Sequence, residues 1–389
     1  MRFLKEVRKR SLEMKKVGLI TYHAAYNYGS VFQAYALCKK VNNLGYDCKI
    51  INYRMPSQQA YYAMYRTQFG LKTFIKDLLK LPIHKERKIR SEKFEQFIQK
   101  MPLTAETVEP EETLELMKKY PVVLSGSDQI WNKHSCEMNQ TDWKYMDPYL
   151  LKGYTGYKLS YASSVGNMKS EELDIISPAI EQFQHIAMRE SSSAVVISKL
   201  LNRNIPWVVD PTFLLQDSDW KNLTSNVKKS RDHYIFYYAL DSYKQMKERR
   251  KVLLAISKKF GRPIHVLAPR VYYAPEKGKI YLVPALGPEE FLAEIQNADA
   301  IITDSYHGTI LSINLQKEVY SLCTEGGSEF RKTDILANLG LQDRIISSVD
   351  QIANTNFAPI NYSAVNEKLD HYREKSLDYL KMALEEAFR

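Results

Sequence analysis

The chain has 389 residues, of which 44% are hydrophobic and 26% charged, enough for two or three domains with sizeable cores and too apolar for a disordered polymer. No apolar run approaches the roughly 18–20 residues that span a bilayer, and the basic first sixteen residues lack the apolar stretch of a secretory signal. Four scattered cysteines without a Cys-x-x-Cys pair exclude a disulfide scaffold and a recognisable zinc ribbon, so the expectation is a soluble, cytoplasmic protein without a metal.

From Val17 the pattern reads strand, loop, helix, strand. Val17 to Thr21 is a β-rich run, and Ala24 to Ser30 is a polar, aromatic loop containing Asn27-Tyr28-Gly29. Val31, Ala34, Tyr35, Cys38 and Val41 then recur at helical spacing up to Gly45, and Asp47 to Tyr53 returns as a strand. Residues 57–120 interrupt this βαβ rhythm as a helical insertion that is rich in Tyr and Met near 61–65 and strongly basic after 72. Val122 to Ser125, Lys158 to Ser163 and His185 to Met188 resume it as strands, and Val208 to Pro211 closes the first half.

A second half begins near Arg231. Tyr234 to Leu240, Ile264 to Ala268, Ala300 to Thr303 and Glu318 to Leu322 read as strands. Tyr243 to Phe260, Glu289 to Gln296 and Gly308 to Asn314 read as helices, and residues 364–387 form a charged C-terminal helix. The expected organisation is a basic extension over 1–16, a Rossmann-like domain over 17–225 with its insertion at 57–120, a second Rossmann-like domain over 226–350, and a helical segment over 351–389. In such α/β sheets ligands sit beyond the carboxyl ends of strands, which directs attention to the loops at 22–30, 125–132, 163–168, 189–193 and 303–309.

Thr303-Asp304-Ser305-Tyr306-His307-Gly308-Thr309 is the strongest local signal. A helix N-terminus with Gly308 for close approach suits an anion, and His307 is a candidate general acid or base because it carries an imidazole. An ordinary helix cap by Asp304 or Ser305 explains the same residues. In Gly126-Ser127-Asp128-Gln129-Ile130-Trp131-Asn132, Asp128 offers a carboxylate and Trp131 a flat surface for a sugar, against the plainer reading of an Asx turn beside a core Trp. Arg189 after Met188 suits a carboxylate or phosphate, or a structural pair with Glu190, and Arg331 and Arg344 add positive charge. Asp217-Ser218-Asp219 mimics a metal-binding D-x-D but precedes a helical pattern, which favours N-capping. Walker A, G-x-G-x-x-G and H-E-x-x-H patterns are absent.

Taken in order, Asn27-Tyr28-Gly29, Gln33 to Leu37, Gly126 to Asn132, Ser160 to Gly166, Arg189-Glu190, Asp210-Pro211-Thr212 and Thr303 to Thr309 resemble the polysaccharide pyruvyl transferase family, over about residues 17–345. The resemblance implies two Rossmann-like domains facing a cleft, similar to the GT-B glycosyltransferase fold. It implies transfer of a pyruvyl group from phosphoenolpyruvate, as donor substrate without a further cofactor, onto two hydroxyls of a sugar in a cell-surface polysaccharide or its precursor. The family's catalytic His carries over to His307 and its donor-binding Arg to Arg189. Ser305 stands where characterised members carry a second Arg, and Arg331 is the candidate replacement. The expected set is therefore His307, Asp128 and Asp304 for proton transfer, and Arg189, Ser305, Gly308, Thr309 and Arg331 for the donor. Asn27, Tyr28, Trp131 and Asn132 are expected to contact the acceptor. Two rivals remain open: a GT-B glycosyltransferase using a nucleotide sugar, and a non-catalytic anion-binding member.

The formal charge of +10 is concentrated in two places: residues 1–16 hold seven basic and two acidic residues, and 72–100 hold nine and four. Beside a Tyr/Met-rich stretch, the second fits peripheral, salt-sensitive docking on an anionic inner membrane face, where a lipid-linked acceptor would reside. Nucleic acid is not an expected partner.

Overall fold

In the computed structural model, residues 15–389 are described apart from 140, 229–231, 241, 324–329, 349–350 and 352–357. Most of the basic extension and the Gly326-Gly327 loop lie outside the described residues.

Two parallel sheets organise the chain. The first contains β1 (Lys16–Ile20), β2 (Asp47–Tyr53), β3 (Leu103–Thr107), β4 (Val122–Ser125) and β5 (Tyr157–Ser160), in the order β3-β2-β1-β4-β5. The second contains β6 (Ile235–Tyr238), β7 (Ile264–Leu267), β8 (Ile280–Leu282), β9 (Ala300–Thr303), β10 (Val319–Leu322) and β11 (Ile345–Ile346), in the order β11-β10-β9-β6-β7-β8. Central strands such as Val122 to Ser125 and Ala300 to Thr303 are buried along their whole length, because helices cover both faces of a parallel sheet. That explains their continuous apolar runs.

The order reverses between β1 and β4 in the first sheet and between β9 and β6 in the second, and crevices open at such reversals. The loop after β1 leads into helix α1 (Tyr28–Asn43), which Asn27 caps by accepting from the Gly29 N–H at 3.0 Å. Tyr28 stacks on Phe291 of the other half at 4.1 Å and donates to the Leu286 carbonyl at 2.6 Å. One apolar core, running from Val17 and Leu37 through Phe291 and Ile310 to Leu384, spans both halves.

Two expectations need correction. The region 57–120 is not one helical insertion: Leu103–Thr107 is a strand that pairs with β2 and closes the sheet edge. The inserted helices are α2 (Pro56–Tyr62), α3 (Leu71–Leu78) and α4 (His84–Gln99), while α5 (Pro110–Met117) follows β3. Alternating Leu103-Thr104-Ala105-Glu106-Thr107 is half polar, as an edge strand is, and its signal is weak beside the charged helix before it. His185 to Met188 is likewise no regular strand; it contributes single bridges, Leu159 to His185 and Ser163 to Met188. Helices α6 (Ser170–Ile180) and α7 (Ser191–Leu201) flank it. Asp219 caps α8 (Asp217–Leu223) by accepting from the Gln216 N–H at 3.0 Å, so the D-x-D is a helix start.

In the second half α9 (Tyr243–Phe260), α10 (Pro288–Asn297), α11 (Tyr306–Asn314) and α12 (Phe330–Leu339) join the strands. The C-terminal helix α13 (Tyr362–Ala387) crosses back to the first half: Arg373 donates to the Phe213 carbonyl at 2.8 Å, and Tyr379 donates to the Ser160 carbonyl at 2.8 Å. The two sheet ends are thereby held facing each other.

Candidate active site

His307 sits in the first turn of α11, just beyond β9. Ser305 caps that helix, its Oγ accepting from the Gly308 N–H at 3.2 Å. On one side His307 Nε2 lies 3.3 Å from Asp210 Oδ2. On the other the ring packs against Gly29 at the start of α1, so closely that a Cβ there would fall 2.0 Å from Nδ1. Asn27-Tyr28-Gly29 thus has a physical role across the domain boundary: Asn27 caps, Tyr28 clamps the halves, and Gly29 leaves room for the imidazole.

Asp210 is fully buried. Its Oδ1 accepts from the Thr212 N–H and hydroxyl at 3.0 and 2.8 Å, which leaves Oδ2 to His307 and to Arg189 Nη1 at 3.4 Å. Burial alone would raise its pKa, but His307 and then Arg189 hold it down at about 2. The carboxylate therefore stays charged beside the imidazole, within ion-pair distance of its Nε2.

Asp128 holds a left-handed backbone, φ 80°, a conformation that costs a non-glycine residue about 1–3 kcal/mol and clusters at functional sites. Its Oδ2 accepts from the Ser30 hydroxyl and its Oδ1 from the Gln129 N–H, both at 2.8 Å, and Arg189 Nη1 lies 3.6 Å from Oδ1. Burial pushes this carboxyl up, yet Arg189 and His307 bring it below its ordinary value.

His307 and Asp128 border a cavity of about 290 Å³, lined also by Glu137, Arg270, Tyr306, Arg331, Asn27 and Ser305. Arg331 lies over the Tyr306 ring at 5.6 Å, and with the Gln129 amide turned over its oxygen accepts from both terminal nitrogens of Arg331 at 2.7 and 2.9 Å. Glu137 accepts from the Tyr62 hydroxyl at 2.7 Å. Burial, then repulsion from Asp128, raises its carboxyl from 4.5 to about 6. Among the described residues no group of His, Cys, Asp and Glu has the arrangement to hold a metal ion.

His307, Asp128, Asn27, Ser305 and Arg331 come together at this cavity. The other expected residues do not. Arg189 is wholly buried behind it, where Glu190 at 3.0 Å, Asp210 and Asp128 share its charge and Tyr306 covers it at 5.1 Å. Trp131 is fully buried, donating to the Tyr149 carbonyl at 3.0 Å and packing edge-on to Phe183; it is a core residue, not a sugar platform. Tyr28 is spent on the interface between halves. Asn132 is buried, accepting from the His134 N–H at 3.0 Å and donating to Asn167 at 3.3 Å. Asp304 turns away and accepts from the Leu240 N–H at 2.7 Å. The Gly308 N–H is used by the cap, and Gly308 itself packs against Thr303 and Tyr238. Thr309 is buried, donating to the Ser305 carbonyl at 3.0 Å beside Ser321. Short polar residues at a helix start serve the backbone first, which is why the motif overstated the number of ligand contacts.

Sequence reasoning gave no role to Glu137 and Arg270, placed Tyr62 only in the Tyr/Met-rich stretch of the expected membrane contact, and quoted Asp210 only as part of a motif. Glu137 and Arg270 lie in irregular turns with no periodic signal. Asp210 was accessible through Asp210-Pro211-Thr212, which follows an apolar run as a strand-end carboxylate does.

Two facing α/β halves, each opening at its sheet reversal and held by a returning C-terminal helix, define a GT-B-like protein. A UDP-N-acetylglucosamine 2-epimerase from Rickettsia bellii shares this fold at 12% identity and TM-score 0.52, over 95% of this chain and 98% of that one. Arabidopsis thaliana UGT89C1 complexed with quercetin matches at 11% identity and TM-score 0.48, over 95% of this chain and 99% of that one. No curated protein sequence matches significantly. The sequence profile of the family described as polysaccharide pyruvyl transferase matches residues 27–322. The chain belongs to the polysaccharide pyruvyl transferase family.

Proposed function

We propose that the chain transfers a pyruvyl group from phosphoenolpyruvate to two hydroxyls of a saccharide acceptor, forming a cyclic ketal. The observation that carries this reading is His307, with the buried Asp210 carboxylate behind it, facing a cavity that is also lined by Arg331 and Arg270. Phosphoenolpyruvate brings a carboxylate and a phosphate, and the Arg331 guanidinium is the side chain best suited to hold such groups here, Arg270 lying at the seam toward the adjoining chamber. Protonated His307, held by Asp210, delivers a proton to the donor's methylene carbon. The positive centre left at C2 takes an acceptor hydroxyl, whose proton passes to a base. The C2–O bond to phosphate then breaks, the base passing its proton to the departing phosphate, and the second hydroxyl attacks C2, closes the ring and returns its proton to His307.

Glu137 fits the base better than Asp128. Asp128 is committed to Ser30, Gln129 and Arg189 and is a weak base, whereas Glu137 at about 6 is near the working range for proton exchange. Arg189 supports Asp128 and Asp210 and does not meet the donor. Ser305 acts as a cap, with Arg331 supplying the charge that an Arg at that position gives other members.

The test is incubation with phosphoenolpyruvate and a panel of saccharides, reading phosphate release and product mass. Persistent absence of both phosphate and ketal across free, phosphorylated and lipid-linked acceptors would sink the reading. The fold shared with a nucleotide-sugar epimerase supports one rival, a nucleotide-sugar glycosyltransferase. Tight binding of a nucleotide sugar without phosphoenolpyruvate turnover would favour it.

We also propose docking on an anionic membrane, through a narrower element than residues 61–100. No helix among the described residues is long and apolar enough to cross a membrane. Leu71, Ile75 and Leu78 of α3, with Leu79 and Leu81 after it, are nonetheless 37–72% exposed. Lys72 and Lys76 flank them. An exposed apolar stripe edged by lysines complements an acidic lipid surface. Co-sedimentation with phosphatidylglycerol vesicles should fall with rising salt and after Leu71→Glu with Leu79→Glu. A protein that ignores such vesicles at low salt is not docked this way.

A further inference from the structure

A second chamber adjoins the His307 cavity and shares Asn27, Tyr62, Leu240 and Arg270 with it. Its outer wall comes from the insertion and is basic, with Arg66, Lys80, Arg87 and Arg90. Among the described residues the one carboxylate within ion-pair distance of them is Asp77, wholly buried, which pairs with Arg66 at 2.8 Å and Lys80 at 2.7 Å. Arg87 and Arg90 have no carboxylate within ion-pair distance among the described residues. Arg87 is 6% exposed; one terminal nitrogen donates to the Met64 carbonyl at 2.6 Å, and its Nε has no partner. The Nε of Arg90 is buried and unpartnered too.

This arrangement is unfavourable as it stands. A buried donor without a partner carries its full desolvation cost, and charged donors carry more. Arg87 and Arg90 are one helical turn apart and repel each other across the same face of α4. Burial, with repulsion from Arg87 and Arg66, lowers the Lys80 ammonium to about 8 despite Asp77. A multivalent anion would satisfy the free donors and the excess charge together.

We propose that this chamber is a phosphate subsite for the acceptor, in which Arg87, Arg90, Lys80 and Arg270 hold a phosphate or diphosphate carried by the sugar. The inference rests on the reading of the His307 cavity as the site of pyruvyl transfer. The tyrosines at the seam, Tyr62 above all, lie where the sugar passes from one chamber to the other. The acceptor is then recognised by its phosphate, and its hydroxyl pair is presented to His307.

Calorimetric titration of the full chain with inorganic pyrophosphate, at saturating phosphoenolpyruvate, tests the subsite. One molecule should bind, and Arg90→Gln and Arg270→Gln should each weaken it about tenfold or more, with phosphoenolpyruvate affinity unchanged in Arg90→Gln. Arg90 and Arg270 come from different halves, so a fold defect in one variant does not excuse the other, and thermal unfolding checks both. Unaltered pyrophosphate affinity in both variants overturns the subsite, as does displacement of phosphoenolpyruvate by pyrophosphate. Pyrophosphate binding that depends on Arg90 without any phosphoenolpyruvate turnover keeps the subsite and overturns the donor. The carrier is then identified by turnover with a sugar 1-phosphate, a nucleoside-diphosphate sugar and a polyprenyl-diphosphate sugar. Equal use of an unphosphorylated sugar by the parent protein and Arg90→Gln overturns the proposal.

Discussion

The two chambers of the cleft handle buried charge in opposite ways. Around His307 the buried Arg189 is held by three carboxylates, Asp128, Glu190 and Asp210, which outnumber it, although its Nη2 keeps no hydrogen-bond partner. In the chamber beneath α4 the cations outnumber their single carboxylate, Asp77, and two guanidiniums keep unused donors. Compensated charge makes rigid machinery; uncompensated charge makes an appetite for a ligand. Removing a charge should therefore have opposite consequences in the two places.

The largest effect belongs to the reacting group. His307→Ala should lower turnover by ~10²–10⁴-fold with donor affinity changed little, read by steady-state kinetics and titration. Loss of donor affinity at unchanged turnover would instead make His307 a clamp. Gly29→Ala, which drives a methyl group into the imidazole, should reproduce most of that loss without removing any functional group.

Arg189→Met sharpens the contrast directly. It strands three buried carboxylates and should cost ~3–5 kcal/mol of stability at neutral pH, measured by denaturant unfolding. Arg90→Gln removes one of several mutually repelling cations and should cost almost nothing, or stabilise. If the two variants lose similar stability, the distinction between the chambers fails.

Glu137 supplies a pH test. Its folded-state pKa of about 6 lies above the ordinary 4.5, so the folded state is penalised once the carboxylate ionises. The penalty is fully present above pH 6 and disappears as pH falls to 4.5. A shift of this size corresponds to about 2 kcal/mol. The unfolding free energy of the parent protein should rise relative to Glu137→Gln across that interval, and parallel pH profiles would refute the assignment.

The smallest effect concerns the outer face of α4. Lys85 and Lys88 are exposed, whereas Arg87 is buried and Arg90 half-buried. Replacing Lys85 and Lys88 by Gln should reduce vesicle binding by at most ~1 kcal/mol for each and leave pyrophosphate binding untouched. The basic run of the sequence is thus two surfaces, divided by the helical period.

Much of the scaffold was legible because its signals are local. Asp47–Tyr53, Val122–Ser125 and Tyr243–Phe260 have the bounds that their apolar runs and helical spacing indicate, since burial on both faces imposes a continuous hydrophobic pattern. Edge strands such as Leu103–Thr107 were not legible, being half solvated and closed by neighbours far away in sequence.

By itself the sequence determined the parallel α/β halves, the family, and the few residues at strand ends where a cleft opens. His307 and Asp128 were among them because strand-end position is a property of the chain, and Arg331 was named as the replacement for the Arg that Ser305 displaces. Tertiary structure alone decided which way side chains turn once the halves meet. It sent Trp131 and Thr309 into the core and Arg189 behind Tyr306, and it brought Glu137 and Arg270 to the cavity. Burial and charge pairing depend on the sum of neighbours from both sheets, which no stretch of residues contains.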